Sequence, residues 1–172
     1  MKRVMVGTAL GLSLLLGGLS QQTFAATPYD GVDEGRPPDV LAVRNVEIIF
    51  HRAGSVLPDK NLELMLSLYA PGAVLIDTAH GDKTYVGKDQ VRAYWRDVAA
   101  PFRPENHWIA YTPTMRIRAK VHGDHATLYF PCLWMDVDKN AIGAHSFSDM
   151  MLERVNGRWL VKTIKVGKVA SL

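Results

Sequence analysis

The 172-residue chain holds a single cysteine, Cys132, so no intrachain disulfide can form and the fold must rest on its apolar core. Charge of one sign is also scarce. Against 17 Asp and Glu stand 20 Lys and Arg, a net charge of +3, which falls to +1 without Lys2 and Arg3 in the acid-free first 25 residues. That balance excludes the basic footprint of a nucleic-acid-binding protein. The sequence contains no glycine-rich phosphate loop, no CxxC pair, no HExxH and no GxSxG. Nucleotide, zinc and serine-hydrolase chemistry therefore have no motif to stand on, and no cofactor is indicated. A cluster of metal-ligating type, His122-Gly123-Asp124-His125, falls on an expected hairpin turn, where exposed polar side chains are the ordinary finding.

What is present is the composition of an ordinary globular domain, 48% hydrophobic and 22% charged. Lys2 and Arg3, the apolar stretch Val4 to Leu19 and the small-residue site Thr23-Phe24-Ala25 read as an export signal over residues 1–25. Gly7, Gly11, Ser13, Gly17 and Gly18 dilute the run below what a spanning helix of roughly 20 apolar residues needs. A periplasmic or secreted protein, free of the membrane after cleavage, is expected. Residues 26–38 are polar with Gly and Pro and read as a flexible lead-in, so that the domain spans 39–172.

Val43, Val46, Phe50 and Ala53 form one apolar stripe, which predicts a helix capped by Asp39 and ended by Gly54. Asp59 is placed to cap a second helix carrying Leu62, Leu64, Met65 and Leu68, closed by Pro71-Gly72. Ala73 to Ile76 reads as a strand ending in Asp77, and Tyr85-Val86-Gly87 leads into a third helix over 88–98. Beyond Pro104, four long strands are expected at 108–121, 126–136, 142–155 and 159–169. Gly123-Asp124, Asp138-Lys139-Asn140 and Asn156-Gly157 are spaced as the hairpin turns between them.

This order predicts an α+β domain in which one curved sheet of antiparallel strands is covered by helices on one face. In 126–135 both strand faces are apolar, Leu128, Phe130, Cys132 and Trp134 on one and Tyr129, Pro131, Leu133 and Met135 on the other. A homodimer through the sheet would cover the second face. Cys132 itself reads as a buried small hydrophobe.

Asp77, at the end of an apolar strand, and His107, Tyr129, His145, Ser148 and Asp149, on or beside the sheet, remain as candidates for chemistry. Apolar surroundings raise a carboxyl pKa or lower that of an imidazole, which brings either toward the working range of a general base. Asp77-Thr78 equally suits a strand-end turn.

The sequence of two helices, Ala73-Val74-Leu75-Ile76-Asp77, Tyr85-Val86-Gly87, a third helix, Asn106-His107-Trp108 and Asp124-His125-Ala126 resembles the SnoaL-like branch of the nuclear transport factor two-like superfamily. His145-Ser146-Phe147-Ser148-Asp149 and Asn156-Gly157-Arg158-Trp159 complete a resemblance over residues 39–168. That superfamily holds ketosteroid isomerases, scytalone dehydratases, polyketide cyclases and a dehydrochlorinase, alongside domains that only bind. The resemblance implies a cone-shaped, barrel-like α+β domain with a curved, mixed but mostly antiparallel sheet and three N-terminal helices on its concave face; it also implies Asp77 and His107 as catalytic groups, Tyr94 and Trp95 as aromatic pocket positions, and Ser146 and Ser148 as polar ones. Such enzymes also take a tyrosine or aspartate from the first helix or its end; here that helix has no tyrosine, Phe50, His51 and Ala53-Gly54 occupy the region, and Phe130 stands where the dehydratase has its second histidine. Glu47 or His51, at the edge of that helix's apolar stripe, is placed to substitute, although a polar residue there normally faces solvent.

Two functions follow. One is an exported, cofactor-free isomerase or lyase that abstracts a proton from a small hydrophobic substrate. His107 would be the base, aided by Asp77, with Tyr129, His145, Ser146 or Ser148 bonding the oxyanion. The other is a non-catalytic ligand- or protein-binding module of the same fold, which a cavity filled from the first helix would favour.

Overall fold

The computed structural model describes residues 33–55, 58–99, 108–111, 116–136, 138 and 141–168. The expected leader and His107 lie outside the described residues. Helix α1 spans Pro37–Ser55, α2 Pro58–Leu66 and α3 Gly87–Ala93, the last running into a π-helical turn, Tyr94–Val98. The strands are β1 (Tyr69–Asp77), β2 (Lys83–Val86), β3 (Trp108–Tyr111), β4 (Arg118–His122), β5 (His125–Asp136), β6 (Ala141–Val155) and β7 (Arg158–Lys168).

The seven strands form one sheet in the order β2-β1-β7-β6-β5, with β3 and β4 sharing the outer edge of β5. All pairings are antiparallel except β1 with β7. This is the expected mixed α+β architecture, with helices on one face. Residues 118–121 and 108–111, expected as one strand, are two strands pairing successive halves of β5. β2 was not expected as a strand. Its Tyr85 faces inward opposite Leu75 of β1.

Helix α1 reaches back to Pro37, because proline at the start of a helix gives up no needed N–H and its fixed φ already suits a helix. Asp39 lies in the first turn rather than before it, paired with Arg36 and Arg154 at 2.7 Å. Just upstream, Glu34 exchanges backbone hydrogen bonds with Ala119 and Val121, which ties the approach to α1 onto β4. Pro71 and Gly72 do not end α2 but lie inside β1. The β1–β7 register jumps between Tyr69 and Val74, a bulge that accommodates a residue with no N–H to donate. Asn156 and Gly157 make the two-residue turn from β6 to β7 with φ of 51° and 76°, the left-handed pair such a hairpin demands.

The core sits between α1 and the concave face of the sheet. Phe50 is its centre, with its ring 5.4 Å from Trp95, 5.1 Å from Phe130 and 4.6 Å from Phe147, all near edge-to-face. The wide π turn, closed by Ala99 N–H to Tyr94 C=O at 2.9 Å, lets both Tyr94 and Trp95 point inward. Trp95 Nε1 donates to the buried Tyr69 hydroxyl at 3.2 Å, which satisfies both polar tips. The outer face of α1 carries exposed Leu41 and Ile48. Among the described residues no helix is long and apolar enough to cross a membrane.

Phe50→Ala should therefore cost about 3–5 kcal/mol of stability, the usual range for deleting a buried aromatic. Leu41→Ala, at 67% exposure, should stay within about 0.5 kcal/mol of wild type. Urea denaturation followed by circular dichroism measures both.

Candidate functional site

Two cross-strand rows line the inner face beside α1. One runs Phe130, Phe147, Val166 and Asp77; the next, one pleat repeat along, runs Cys132, His145 and Lys168. The first row is apolar until Asp77. Strand alternation that buries Ala73 and Leu75 puts Asp77 on the same side, and its residue exposure is 1%.

The loop after β1 meets that carboxylate. Asp77 Oδ1 accepts the backbone N–H of Ala79 at 2.9 Å and of His80 at 3.1 Å, and lies 3.2 Å from His80 Nδ1. Thr78 pins the start of the loop, with both its N–H and its hydroxyl donating to Val166 C=O. A carboxylate acceptor assigns the proton of the imidazole to Nδ1, so His80 Nε2 presents a lone pair. Asp77 is thus both the strand-end turn former and a member of an Asp–His dyad. His107, the expected partner, lies outside the described residues.

The His80 ring sits 4.9 Å from that of His145 and 6.4 Å from that of Tyr94. Burial, then the nearby His80 and Lys168, push the His145 pKa down to about 4 despite the attraction of Asp77. His145 is therefore a neutral imidazole near pH 7. Burial and then the Asp77 charge hold the Tyr94 hydroxyl well above its ordinary pKa, and it keeps its proton. Tyr85, 5.1 Å from Tyr94, is shifted the same way by the same two causes.

A second group faces these from α1. Glu47 is 7% exposed and His51 half-buried, against the expectation that helix-edge polar residues face solvent. The reason is that Glu47 falls within the stripe of Val43, Val46 and Phe50, which α1 must bury. His51 Nδ1 lies 2.7 Å from Glu47 Oε1 and 3.1 Å from Glu47 C=O, and its Nε2 lies 3.5 Å from Cys132 Sγ. Cys132 pairs with His145 across the β5–β6 ladder, so the two groups meet along one row.

Of the residues expected at the site, Asp77, Tyr94 and His145 are brought together. Trp95 is a core wall against Phe50 and Phe147. Tyr129 alternates with the buried Leu128 and Phe130 along a regular β5, since the local register shift inserts its extra residue in β6; it sits on the other face from them. Ser146 and Ser148 pair in the backbone with Pro131 and Lys165 respectively, and their side chains lie outside the described residues. His80 was missed, and Glu47 and His51, considered only as stand-ins for a first-helix catalytic residue, were not linked to Cys132. The Asp77-to-His80 spacing of three, with which a strand-end aspartate receives a loop N–H, was the available signal for His80. No local signal links Cys132 to His51.

An open surface cleft of about 620 Å³ lies elsewhere, between the approach to α1 and the β4–β5 turn, lined by Arg36, Asp39, His122, Asp124 and Arg154. Its cations Arg36 and Arg154 are already paired with Asp39, and it shares none of the groups above. Among the described residues no three His, Cys, Asp or Glu side chains are grouped to hold a metal ion.

The chain matches the SnoaL-like domain over residues 38–165. Solved structures share its fold. A nuclear transport factor two-like protein of unknown function from Pseudomonas putida is 15% identical over 80% of this chain and 91% of that one, with a TM-score of 0.64. A protein from Streptomyces avermitilis provisionally named a dehydratase of the same family is 14% identical over 78% and 98%, TM-score 0.61. One from Novosphingobium aromaticivorans provisionally named a scytalone dehydratase is 10% identical over 77% and 85%, TM-score 0.60. At these identities the likeness is one of fold. No curated protein matches the chain. The helical cap, the curved sheet and the match over the whole folded region together make this chain a member of the SnoaL-like domain family, with the nuclear transport factor two-like fold.

Proposed function

We propose that the protein transfers a proton on a small hydrophobic carbonyl compound, as a cofactor-free isomerase or lyase, with Asp77 and His80 as the base. The observation that carries this reading is the Asp77–His80 contact at 3.2 Å beside a second, neutral imidazole at the edge of an aromatic cluster. His80 Nε2 would take the proton from the carbon next to the carbonyl, and Asp77 would stabilise the imidazolium so formed. His145 cannot share that positive charge at 4.9 Å, so its N–H serves as donor to the enolate oxygen. His80 then returns the proton to another carbon, which isomerises the substrate, or to a leaving group, which eliminates it. Phe147 and Tyr94 supply apolar walls.

A binding role without turnover has its own support, because Phe50 fills the middle of the cone from α1. The same polar row would then only orient a ligand. Lys2-Arg3 and the apolar run after them support export to the periplasm or outside the cell. Met135 and Ile142, exposed cross-strand partners on the outer face, support a homodimer through the sheet.

Deuterium wash-in from D2O, followed by NMR on cyclic enones and β-hydroxy ketones, tests the proton transfer. Wild type should accelerate exchange, and His80→Gln and Asp77→Asn should each slow it about 100-fold or more, the scale of general-base catalysis. Exchange unchanged in both variants removes the assignment. Saturation-transfer signals with no exchange in wild type would select the binding role.

The neutral state of His145 also leaves a mark on stability. Its folded pKa, about 4, lies below the roughly 6.5 of an unfolded histidine. The unfolded chain therefore binds the proton first, and the folded state loses ground as pH falls from about 6.5 to about 4. Allowing for solvent screening of a partly exposed ring, the loss is on the order of 1–2 kcal/mol. Urea denaturation at pH 7, 5.5 and 4 should show His145→Gln losing less stability on acidification than wild type by that amount.

A further inference from the structure

We propose that Glu47, His51 and Cys132 form a thiol nucleophile that adds covalently to small apolar α,β-unsaturated carbonyl compounds. This site is separate from the Asp77–His80 dyad, and its test reads different side chains.

Three observations carry it. First, the tautomer of His51 is set by its neighbours. Nδ1 faces the Glu47 carbonyl oxygen at 3.1 Å and carboxylate oxygen at 2.7 Å. A backbone carbonyl can only accept, so Nδ1 carries the proton and the Nε2 lone pair faces Cys132 Sγ at 3.5 Å. Second, the carboxylate is itself buried, in a helix stripe that an apolar residue would fill at no electrostatic cost. Its one described side-chain partner is His51, the group whose protonated form it would stabilise. Third, the thiol lies on the polar row opposite His145, while Phe50 and Phe130 flank the His51 ring at 6.1 and 6.0 Å. Cys132 is itself fully buried, as its apolar neighbours in sequence predict, and the two rings belong to the packed core.

The charges facing the thiol are Glu47 and His51 from α1 and His145 from β6, with Lys168 beyond it on β7. Burial in apolar surroundings opposes a thiolate, and an adjacent imidazolium favours one. The carboxylate beside His51 Nδ1 is placed to stabilise the imidazolium formed when the imidazole takes the thiol proton. The thiol also donates a hydrogen bond to Leu133 C=O at 3.7 Å, a distance long even for sulfur.

The reaction class follows from what the site supplies. Acyl transfer would need free N–H donors for an oxyanion, and the backbone around Cys132 is engaged in the β5–β6 and β5–β3 ladders. Conjugate addition needs a thiol, a base to take its proton and a donor to return it, and Cys132 and His51 are placed for these roles. His51 takes the proton from Sγ; sulfur forms a bond to the β-carbon as the alkene π bond breaks; the α-carbon then receives that proton from His51 Nε2. The product is a thioether, and nothing else is consumed.

N-ethylmaleimide, itself an α,β-unsaturated carbonyl compound, is the probe. The full chain contains one cysteine, so intact-mass spectrometry reads the site directly. The folded protein should gain one adduct, with a rate-against-pH midpoint at least one unit below the roughly 8.5 of a free thiol. His51→Asn should return the midpoint to the ordinary value and slow labelling at pH 6.5 tenfold or more. Glu47→Gln should shift the midpoint in the same direction while circular dichroism shows the fold kept. Labelling only after unfolding, a wild-type midpoint at the ordinary thiol value, or a profile unmoved by His51→Asn would each overturn the proposal. Should His51→Asn fail to fold, the wild-type profile alone decides.

Discussion

The packing of Phe50 against Trp95, Phe130 and Phe147 is the contact on which the arrangement of this protein depends, because it seats α1 against the concave face of the sheet. Edge-to-face aromatic packing is directional as well as apolar, so it sets the rotation of the helix and not merely its closeness. With Phe50 held in the centre, the next residue, His51, must emerge at the flank of the β5–β6 ladder. Glu47, one turn back, must share the buried stripe. The polar contacts of α1 are thus consequences of an apolar one.

The opposite side of the row is built by a different device. Asp77 is carried inward by the pleat of β1, a period-two constraint that no local preference of aspartate would choose. The loop that follows then compensates the buried carboxylate with two backbone N–H groups and an imidazole. Satisfying that charge orders the loop, and ordering the loop delivers His80 beside His145. Burial of their own side chains, more than any neighbouring charge, leaves His145 neutral and Tyr94 protonated within one small region.

Two clusters of chemistry therefore face one another across the same sheet row, each anchored by a buried carboxylate and each presenting an imidazole nitrogen. Such a layout fits a fold whose relatives differ in what they do, since the scaffold is held by aromatic and aliphatic packing and the polar row can vary without disturbing it. The surface cleft near Arg154 has volume but already-paired charges, whereas the inner row sets two imidazoles against buried carboxylates.

The helical stripe of Val43, Val46, Phe50 and Ala53, the strand ending in Asp77, and the Asn156-Gly157 turn were legible in the residues, because helix period, strand period and turn chemistry are local properties. From them came the α+β class and a curved sheet covered by helices on one face, while the mixed pairing and the pocket positions of Tyr94 and Trp95 came from the family resemblance. The bulge that keeps Pro71 inside β1 and the split of 108–121 into two strands were not legible, since both are decided by what the neighbouring strand offers. The same holds for the site. Residue types identified Asp77 and His145 as candidates, but the meeting of Cys132 with His51, 81 positions apart, exists only once α1 is docked on β5. The amino-acid order thus determined which groups face the interior, and tertiary packing alone decided which of them touch, because periodicity specifies a side chain's direction within its own element and not the distance between elements.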